Sequence, residues 1–210
     1  TQTFRMAEDN TPEACGSILS AYEGREPDNT IDEKSCAAII FTSGTTGEEK
    51  GVMLSHANLI DTTFNGNFDV NIKISILPMH HAFSVKSDFL TPLGVGSTIC
   101  FHNGMDKLGE ALQAYEPTCL SMVPMIANAL YNKVFMFSQQ TGKTMEECKY
   151  LVFGKRINQI ITGGAHLPSE LVDKYQNIGI GIAQGYGMSE CSPSISIPCW
   201  ARPDKAHSSG

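Results

Sequence analysis

Phe41-Thr42-Ser43-Gly44-Thr45-Thr46-Gly47-Glu48-Glu49-Lys50-Gly51 follows directly on a short apolar run of the chain. The stretch contains four hydroxyl side chains, three glycines and one lysine. Glycine lets the backbone approach a ligand closely, hydroxyls donate hydrogen bonds to phosphate oxygens, and Lys50 supplies a compact positive charge. The stretch therefore predicts a loop that binds the phosphates of a nucleotide.

The order of elements around this loop differs from that of a Walker loop, which runs from a strand through G-x-x-x-x-G-K-[ST] directly into a helix. Here Gly44 and Gly47 are three residues apart, and Lys50 is followed by glycine rather than by Ser or Thr. The next residues, 51–54, are apolar and predict a second short strand. Helix signals begin only at Ser55, whose side chain suits an N-cap. The loop is therefore expected to join two strands.

Three further stretches follow this loop in the sequence. They read Leu77-Pro78-Met79-His80-His81-Ala82-Phe83, Ile161-Thr162-Gly163-Gly164-Ala165 and Gln184-Gly185-Tyr186-Gly187-Met188-Ser189-Glu190. In this order and spacing, the four stretches together resemble the signature of the adenylate-forming (AMP-binding) enzymes, which include acyl-CoA synthetases, aryl-CoA ligases, luciferases and the adenylation domains of peptide synthetases. Glu49 stands where that family usually has proline, which predicts a looser loop around an intact site.

The resemblance implies a role for each matched residue. The residues expected to contact the phosphates and adenine of ATP are Thr42, Ser43, Gly44, Thr45, Thr46, Gly47, Lys50, Gly164, Gln184, Gly185, Tyr186 and Ser189. Tyr186 lies between two glycines and can stack against a purine. Ser189 replaces the threonine usual in relatives and keeps its hydroxyl donor. Glu190, together with Thr42, is expected to hold Mg²⁺, a cation that prefers one or two carboxylates plus substrate phosphates.

The histidines receive different interpretations. By resemblance, His81 is the family position that places the substrate carboxylate, and it is expected to be catalytic together with Lys50. His80 is interpreted as structural, and His56, His102 and His166 as solvent-facing or packing residues. No arrangement of His, Asp, Glu or Cys in the sequence has the spacing of a zinc site.

The reaction implied by the resemblance is attack of a carboxylate on the α-phosphorus of ATP, followed by transfer of the acyl group to the thiol of CoA. Lys50, Mg²⁺ and the loop donors would neutralise the triphosphate, so the expected catalysis is positioning and electrostatic stabilisation. The Leu77–Phe83 and Ile161–Ala165 stretches are similar to those of long-chain-type fatty acyl-CoA synthetases, which favours a fatty acid. The alternatives are an aryl or amino acid adenylating enzyme and a nucleotide-binding module without catalysis.

Composition excludes several other classes of protein. Hydrophobic residues make up 41% of the chain and charged residues 18%, which permits a substantial core. A net charge of -7 argues against nucleic acid as a partner. No apolar run approaches the roughly 20 residues needed to cross a bilayer, although peripheral membrane contact through an acyl substrate is compatible with the sequence. Seven cysteines without a C-x-x-C pattern indicate reduced thiols and a cytoplasmic location.

Apolar runs alternate with helical patterns along most of the chain. Strands are predicted at 36–42, 51–54, 72–77, 97–101, 118–123, 158–162 and 180–185, and helices at 55–65, 83–94, 106–115, 124–137 and 169–177. This alternation predicts an α/β fold with mostly parallel sheets covered by helices, whose ligands bind beyond the strand ends. Residues 135–156 give no clear pattern.

The length of the chain predicts an incomplete enzyme. By resemblance, family members are more than twice as long as these 210 residues. Residues 1–35 are interpreted as a lead-in segment and 36–210 as a partial N-terminal domain of an acyl-CoA synthetase-like fold. The ribose-binding aspartate and the C-terminal domain with its adenylating lysine are expected to be missing. A fragment of this kind is expected to bind nucleotide only weakly.

Overall fold

The computed structural model describes residues 30–43, 48–63, 71–102, 104–197 and 207–209. The chain divides into two compact units, Thr1–Asp32 and Glu33–Gly210. Of the first unit, residues 30–32 are described and carry neither helix nor strand. The architecture below belongs to the second unit.

An antiparallel hairpin carries the glycine- and hydroxyl-rich loop. Strand β1 (Cys36–Ser43) pairs with β2 (Glu49–Ser55), and Thr42 lies opposite Lys50 in the register. The prediction that the loop joins two strands is therefore confirmed. Helix α1 (His56–Thr63) follows at once, and the Ser55 hydroxyl accepts a hydrogen bond from the Asn58 amide at 3.2 Å, as an N-cap does.

The main sheet has five parallel strands in the order β4-β3-β5-β6-β7. The strands are β3 (Ile72–Ser75), β4 (Thr98–Phe101), β5 (Cys119–Met122), β6 (Gln159–Thr162) and β7 (Gly181–Gln184). All four residues of the central strand β5 are buried, as expected for a strand covered on both faces. The predicted α/β fold with a mostly parallel, helix-covered sheet is confirmed.

Helices connect and cover these strands. A helical segment after β3 comprises α2 (Ala82–Ser84), a π-helical stretch (Val85–Leu90) and α3 (Thr91–Gly94). The others are a 3₁₀ turn (Met105–Lys107), α4 (Leu108–Tyr115), α5 (Pro124–Thr141), α6 (Met145–Phe153) and α7 (Ser169–Gln176). Across the residues that the structure describes, no helix is long and apolar enough to cross a membrane.

The principal core lies between the sheet and these helices. Fully buried strand residues such as Ile74, Leu120 and Ile160 pack with Val134 and Tyr175 of the helices. The Tyr175 hydroxyl donates a 2.7 Å hydrogen bond to the Ala127 carbonyl, so α5 and α7 are linked by a polar contact inside an apolar layer. This core fixes the sheet, and the sheet in turn fixes the loops at its edges.

The region without a clear sequence pattern, residues 135–156, is helical over 135–141 and 145–153. Helix α5 continues to Thr141 and ends at Gly142, whose φ of 68° is left-handed. Thr144 then starts α6 with a capping box, because its side chain accepts from the Glu147 amide while the Glu147 carboxylate accepts from the Thr144 amide. That hydrogen bonding lowers the pKa of Glu147.

A second, smaller hairpin follows β7. It consists of β8 (Tyr186–Gly187) and β9 (Ser194–Ser196), joined through a 3₁₀ turn (Ser189–Cys191) and a left-handed Ser192 with φ of 62°. The sequence analysis predicted no strands here. Two- and three-residue strands carry too little periodic pattern to be recognised, and this hairpin depends on tertiary contacts described below.

Candidate active site

A cavity of about 440 Å³ opens at the carboxyl end of the parallel sheet. Residues that follow four different strands line it: Leu77 after β3, Val123 after β5, Gly163 after β6 and Gly185 after β7. The helical segment after His81 and the β8–β9 hairpin supply the remaining walls. Ligands in open parallel sheets bind at this position, because the loops that leave neighbouring strands converge there.

Five of the predicted site residues meet in this cavity. They are His81, Gly164, Gly185, Tyr186 and Ser189. They come from three separate stretches of the sequence. The fold therefore brings together residues that are far apart along the chain. Tyr186 is 55% exposed rather than packed in the core, and its ring is available to a ligand.

His81 stands at the mouth of the helical segment that begins with Ala82. Its amide donates to the Pro78 carbonyl at 3.1 Å, and its own carbonyl accepts from the Val85 amide at 3.0 Å, so the backbone at this position is held from both sides. The His80 and His81 rings lie 4.3 Å apart, but among the pair only His81 lines the cavity. Both side chains are exposed.

The nucleotide-phosphate loop is described only at its two ends. Thr42 and Lys50 face each other across the β1–β2 hairpin, and the Thr42 hydroxyl donates to the Lys50 carbonyl at 3.4 Å. Lys50 is exposed. Ser43 ends β1, and the predicted phosphate-binding residues Gly44, Thr45, Thr46 and Gly47 lie outside the described residues.

Gln184 occupies a different position from the one its predicted role suggests. Its side-chain oxygen accepts a 2.7 Å hydrogen bond from the Leu167 amide, and the residue is not among those that line the cavity. In this structure Gln184 therefore links the end of β7 to the loop after β6. It fixes two walls of the cavity relative to each other.

A hydrogen bond joins helix α1, which follows the β1–β2 hairpin, to the turn of the β8–β9 hairpin. The Thr62 hydroxyl, at the end of α1, donates to the Ser192 carbonyl at 2.5 Å. Thr62 follows the phosphate-loop hairpin, whereas Ser192 closes the turn that carries Ser189 and Glu190. The predicted phosphate-binding and metal-binding parts of the chain are thereby held together.

The Glu190 carboxylate is exposed and forms no salt bridge with any other residue that the structure describes. An exposed carboxylate with a hydroxyl donor nearby in sequence, Ser189, is the kind of oxygen ligand set that suits Mg²⁺ together with substrate phosphates. Within the described ranges, no group of three or more His, Cys, Asp and Glu side chains could hold a metal on protein ligands alone.

Gly187 allows the small hairpin to close. A Cβ atom at this position would lie 1.7 Å from the Pro193 carbonyl oxygen, so only glycine fits between the two strands. Gly163 is also tightly packed, since a Cβ there would lie 3.2 Å from the Phe83 ring. The backbone of Gly187 thus lies against the backbone of Pro193 in the hairpin, and the Phe83 ring lies against the backbone of Gly163.

Sequence reasoning missed a buried ion pair beside the cavity. Lys73, on β3, is 1% exposed, and its amine lies 3.6 Å from Asp88 Oδ1 and donates to Ser121 Oγ at 2.6 Å. Burial raises the pKa of Asp88, and the positive charge of Lys73 opposes that rise. A signal was present in the sequence, because Lys73 interrupts the apolar run of a predicted buried strand.

A second lysine in the wall was missed as well. Lys86 lies on the π-helical stretch, is 5% exposed and lines the cavity. Its amine donates to Ser194 Oγ on β9 at 2.6 Å. Burial lowers the pKa of Lys86 to about 8.

Replacing Lys86 with methionine is expected to remove a pH-dependent part of the free energy of unfolding. The pKa of Lys86 is lowered from 10.5 to about 8 by folding. Between these values the unfolded chain binds more protons, so the stability of the native protein rises with pH. Below pH 8 the buried charge should cost about 1 to 3 kcal/mol, since one pKa unit corresponds to about 1.4 kcal/mol and screening by solvent reduces the effect.

Denaturation at pH 7 and near pH 10.5 would measure this difference. The Lys86→Met variant should be more stable than the parent at pH 7 and about equal to it at the higher pH. Other lysines, tyrosines and cysteines titrate in both proteins and cancel in the comparison. A stability difference that does not change with pH would contradict the prediction.

Comparisons with known proteins agree on the family to which the chain belongs. A sequence profile described as AMP-binding enzyme matches residues 3–210, and the chain belongs to that family. It is 30% identical over 207 residues to 4-coumarate–CoA ligase 2 of Petroselinum crispum, with 90% of this chain and 35% of the relative covered. It is 26% identical over 194 residues to feruloyl-CoA synthase of Amycolatopsis sp, covering 90% of this chain and 36% of the relative.

Solved structures share the fold. A long-chain-fatty-acid-CoA ligase from Archaeoglobus fulgidus superposes with a TM-score of 0.67 at 24% identity, over 85% of this chain and 36% of that one. O-succinylbenzoate coenzyme A synthetase from Bacillus subtilis, in complex with ATP and magnesium ion, superposes with a TM-score of 0.64 at 20% identity. The superposition covers 86% of this chain and 37% of that one. The family and fold predicted from the four sequence stretches are confirmed. The chain spans about a third of the length of the curated relatives that it matches.

Proposed function

We propose that the protein containing this chain activates a carboxylic acid with ATP to give an acyl adenylate and then transfers the acyl group to the thiol of CoA. Membership of the AMP-binding enzyme family supports this proposal, as do matched relatives named as CoA ligases and synthases. The single structural observation that carries it is the convergence of His81, Tyr186 and Ser189 on one cavity at the carboxyl end of a parallel sheet.

The proposed nucleotide site combines both hairpins. The adenine would stack on Tyr186 beside Gly164 and Gly185, with Gln184 holding the adjoining loops. The phosphates would lie against the residues of the β1–β2 loop, namely Thr42, Ser43, Gly44, Thr45, Thr46, Gly47 and Lys50, and against Ser189. Backbone amides, hydroxyls and an ammonium are suitable donors for a triphosphate.

A divalent cation such as Mg²⁺, held by Glu190 and Thr42 together with the phosphates, would polarise the phosphoryl oxygens when bound. The residues of the chain would do the rest by positioning. Lys50 would offset the negative charge that repels an entering carboxylate, and His81 would orient that carboxylate toward the α-phosphorus. Bond formation between the carboxylate oxygen and the α-phosphorus releases pyrophosphate.

The walls of the cavity favour an aliphatic or aromatic acyl group over a small polar one. Leu77, Phe83, Val123 and Ile161 line it, and Phe83 covers the backbone of Gly163. We favour a fatty acid, on the form of the Leu77–Phe83 stretch. The matched relatives named for ferulate and 4-coumarate support an aryl acid as the second candidate.

We also propose how the chain is organised into segments and where in the cell the protein acts. Residues 1–35 would form a lead-in, and residues 36–210 would form part of the nucleotide-binding domain. We place the reaction in the cytoplasm, with contact to membranes only through the acyl substrate.

Exchange of labelled pyrophosphate into ATP tests the proposal directly. The full-length natural polypeptide should catalyse exchange that depends on an added carboxylic acid. The acids to be compared are a panel of aliphatic, aromatic and amino acids. Exchange with one class would establish adenylation and identify the substrate class. A folded protein that binds Mg·ATP but gives no exchange with any acid would favour the nucleotide-binding module instead.

Replacing Lys50 with alanine is expected to weaken Mg·ATP binding by about 1 to 3 kcal/mol, the usual size for a charged hydrogen-bond partner. Lys50 is exposed, so the fold should survive the change. Titration calorimetry on the full-length protein would measure the affinity. Lys107→Ala serves as a matched control, because Lys107 is a surface lysine paired with Glu110. Unchanged affinity in Lys50→Ala would remove this residue from the site.

A further inference from the structure

The helical segment after His81 presents one continuous stripe to the cavity. Phe83, Lys86, Ser87 and Thr91 all line the wall, at spacings of three, four and eight residues from Phe83. Residues at such spacings share a face of a helix. Lys86 lies within the π-helical part, a type of distortion that is frequent at functional sites. Its place in the wall is therefore set by the helical segment that begins at Ala82.

The two lysines of this wall differ in their partners. The Lys73 amine lies 3.6 Å from the Asp88 carboxylate. Lys86 has the neutral Ser194 hydroxyl at 2.6 Å, and no carboxylate of the described residues forms a salt bridge with it. An ammonium carries three donors, so this amine retains donors for another acceptor.

A buried cation without a counter-charge is unfavourable unless something compensates for it. Burial lowers the pKa of Lys86 to about 8, which still leaves the amine mostly protonated at pH 7. An anion that entered the cavity would favour the charged form and would itself be stabilised. Lys86 is thus suited to receive a negatively charged group from a ligand.

The position of Lys86 relative to His81 indicates which part of a ligand the Lys86 amine would contact. Lys86 follows His81 by five residues along the chain, and both side chains line the cavity. Under the proposed function, His81 orients the reacting carboxylate. The Lys86 amine is therefore available to a group several bonds away from that carboxylate, next to apolar walls that suit methylene groups.

We propose that Lys86 makes this enzyme selective for an aliphatic acid that carries a second carboxylate at its far end, one carboxylate reacting beside His81 and the other paired with the Lys86 amine. This inference rests on the proposed acid-activating function and names its substrate class. It assigns Lys86 as a specificity-determining residue, with Ser194 holding the amine in the wall.

Matched pairs of acids test the assignment in the full-length natural polypeptide. Pyrophosphate exchange is measured with butanoate against succinate, hexanoate against adipate and octanoate against suberate. The parent should prefer the diacid of at least one pair by tenfold or more in kcat/KM. Lys86→Met, which keeps the length of the stem and removes the charge, should reverse that preference mainly through a higher KM for the diacid.

Two further variants separate a charge effect from a structural one. Ser194→Ala removes the hydrogen-bond partner but keeps the ammonium, so it should retain a preference for the diacid. Lys107→Met, on the surface, should behave as the parent does. Melting curves of all variants would show that each is folded.

The outcomes distinguish the inference from the function beneath it. Exchange with monoacids, no preference for any diacid and no effect of Lys86→Met would overturn the inference and leave the proposed function standing. A diacid preference that survives Lys86→Met would also overturn the assignment of Lys86. Absence of exchange with every acid would overturn the proposed function, and the inference with it.

Discussion

Replacing Asp88 with alanine is expected to destabilise the native protein by about 3 to 5 kcal/mol, the usual cost of leaving one member of a buried ion pair alone. Asp88 is fully buried, and its partner Lys73 is 1% exposed. Without the carboxylate, the Lys73 ammonium would keep neutral partners, Ser121 Oγ at 2.6 Å and Cys119 Sγ at 3.8 Å, but no counter-charge from Asp88. Chemical denaturation of parent and variant would measure the difference.

A double replacement provides the control for this prediction. Lys73→Met with Asp88→Leu removes both charges and fills a similar volume, and such exchanges are often neutral or stabilising. We therefore expect the double variant to be much more stable than Asp88→Ala alone. If Asp88→Ala cost less than about 1 kcal/mol, the pair would contribute no more than a surface ion pair does, and its proposed importance would be wrong.

Replacing Gly187 with alanine is expected to weaken Mg·ATP binding by about 5- to 150-fold, equivalent to about 1 to 3 kcal/mol of overpacking. The new Cβ would lie 1.7 Å from the Pro193 carbonyl oxygen, so the β8–β9 hairpin must open. Tyr186 precedes Gly187 and Ser189 follows it by two residues, so both would move when the hairpin opens. Titration calorimetry with Mg·ATP on the full-length protein would measure the loss.

Gly109→Ala is the matched control for that measurement. Gly109 lies in α4, and a Cβ there would meet only the flexible end of Lys133, at 3.1 Å. Alanine is also favoured over glycine within a helix. Full ATP affinity in both variants would show that the hairpin tolerates a side chain at position 187 and that its closure does not shape the site.

Local chemistry explains which parts of the site could be predicted. The β1–β2 hairpin and the five parallel strands can be predicted from apolar runs in the sequence and from the loop residues between them. The positions of His81, Tyr186 and Ser189 in one cavity follow from strand order, because loops at the carboxyl ends of parallel strands converge. These features depend on residues close together in sequence or on general rules of sheet construction.

The features that were missed have different causes. Helix α6 was signalled by Thr144 and Glu147, a capping-box pair that a search for apolar periodicity passes over. The Lys73–Asp88 pair and the Lys86–Ser194 bond depend instead on how distant segments align in three dimensions. A lysine in a helical pattern normally indicates a solvated face, and only the packing of the helix against the sheet shows otherwise.

The hydrogen bond from Thr62 to Ser192 also has a consequence during synthesis of the protein. The two residues are 130 positions apart. At roughly 5 to 20 residues per second, about 6 to 26 seconds separate their emergence from the ribosome. Throughout that interval the nascent chain carries helix α1 without the Ser192 carbonyl that accepts its hydrogen bond, so this contact forms only late in synthesis.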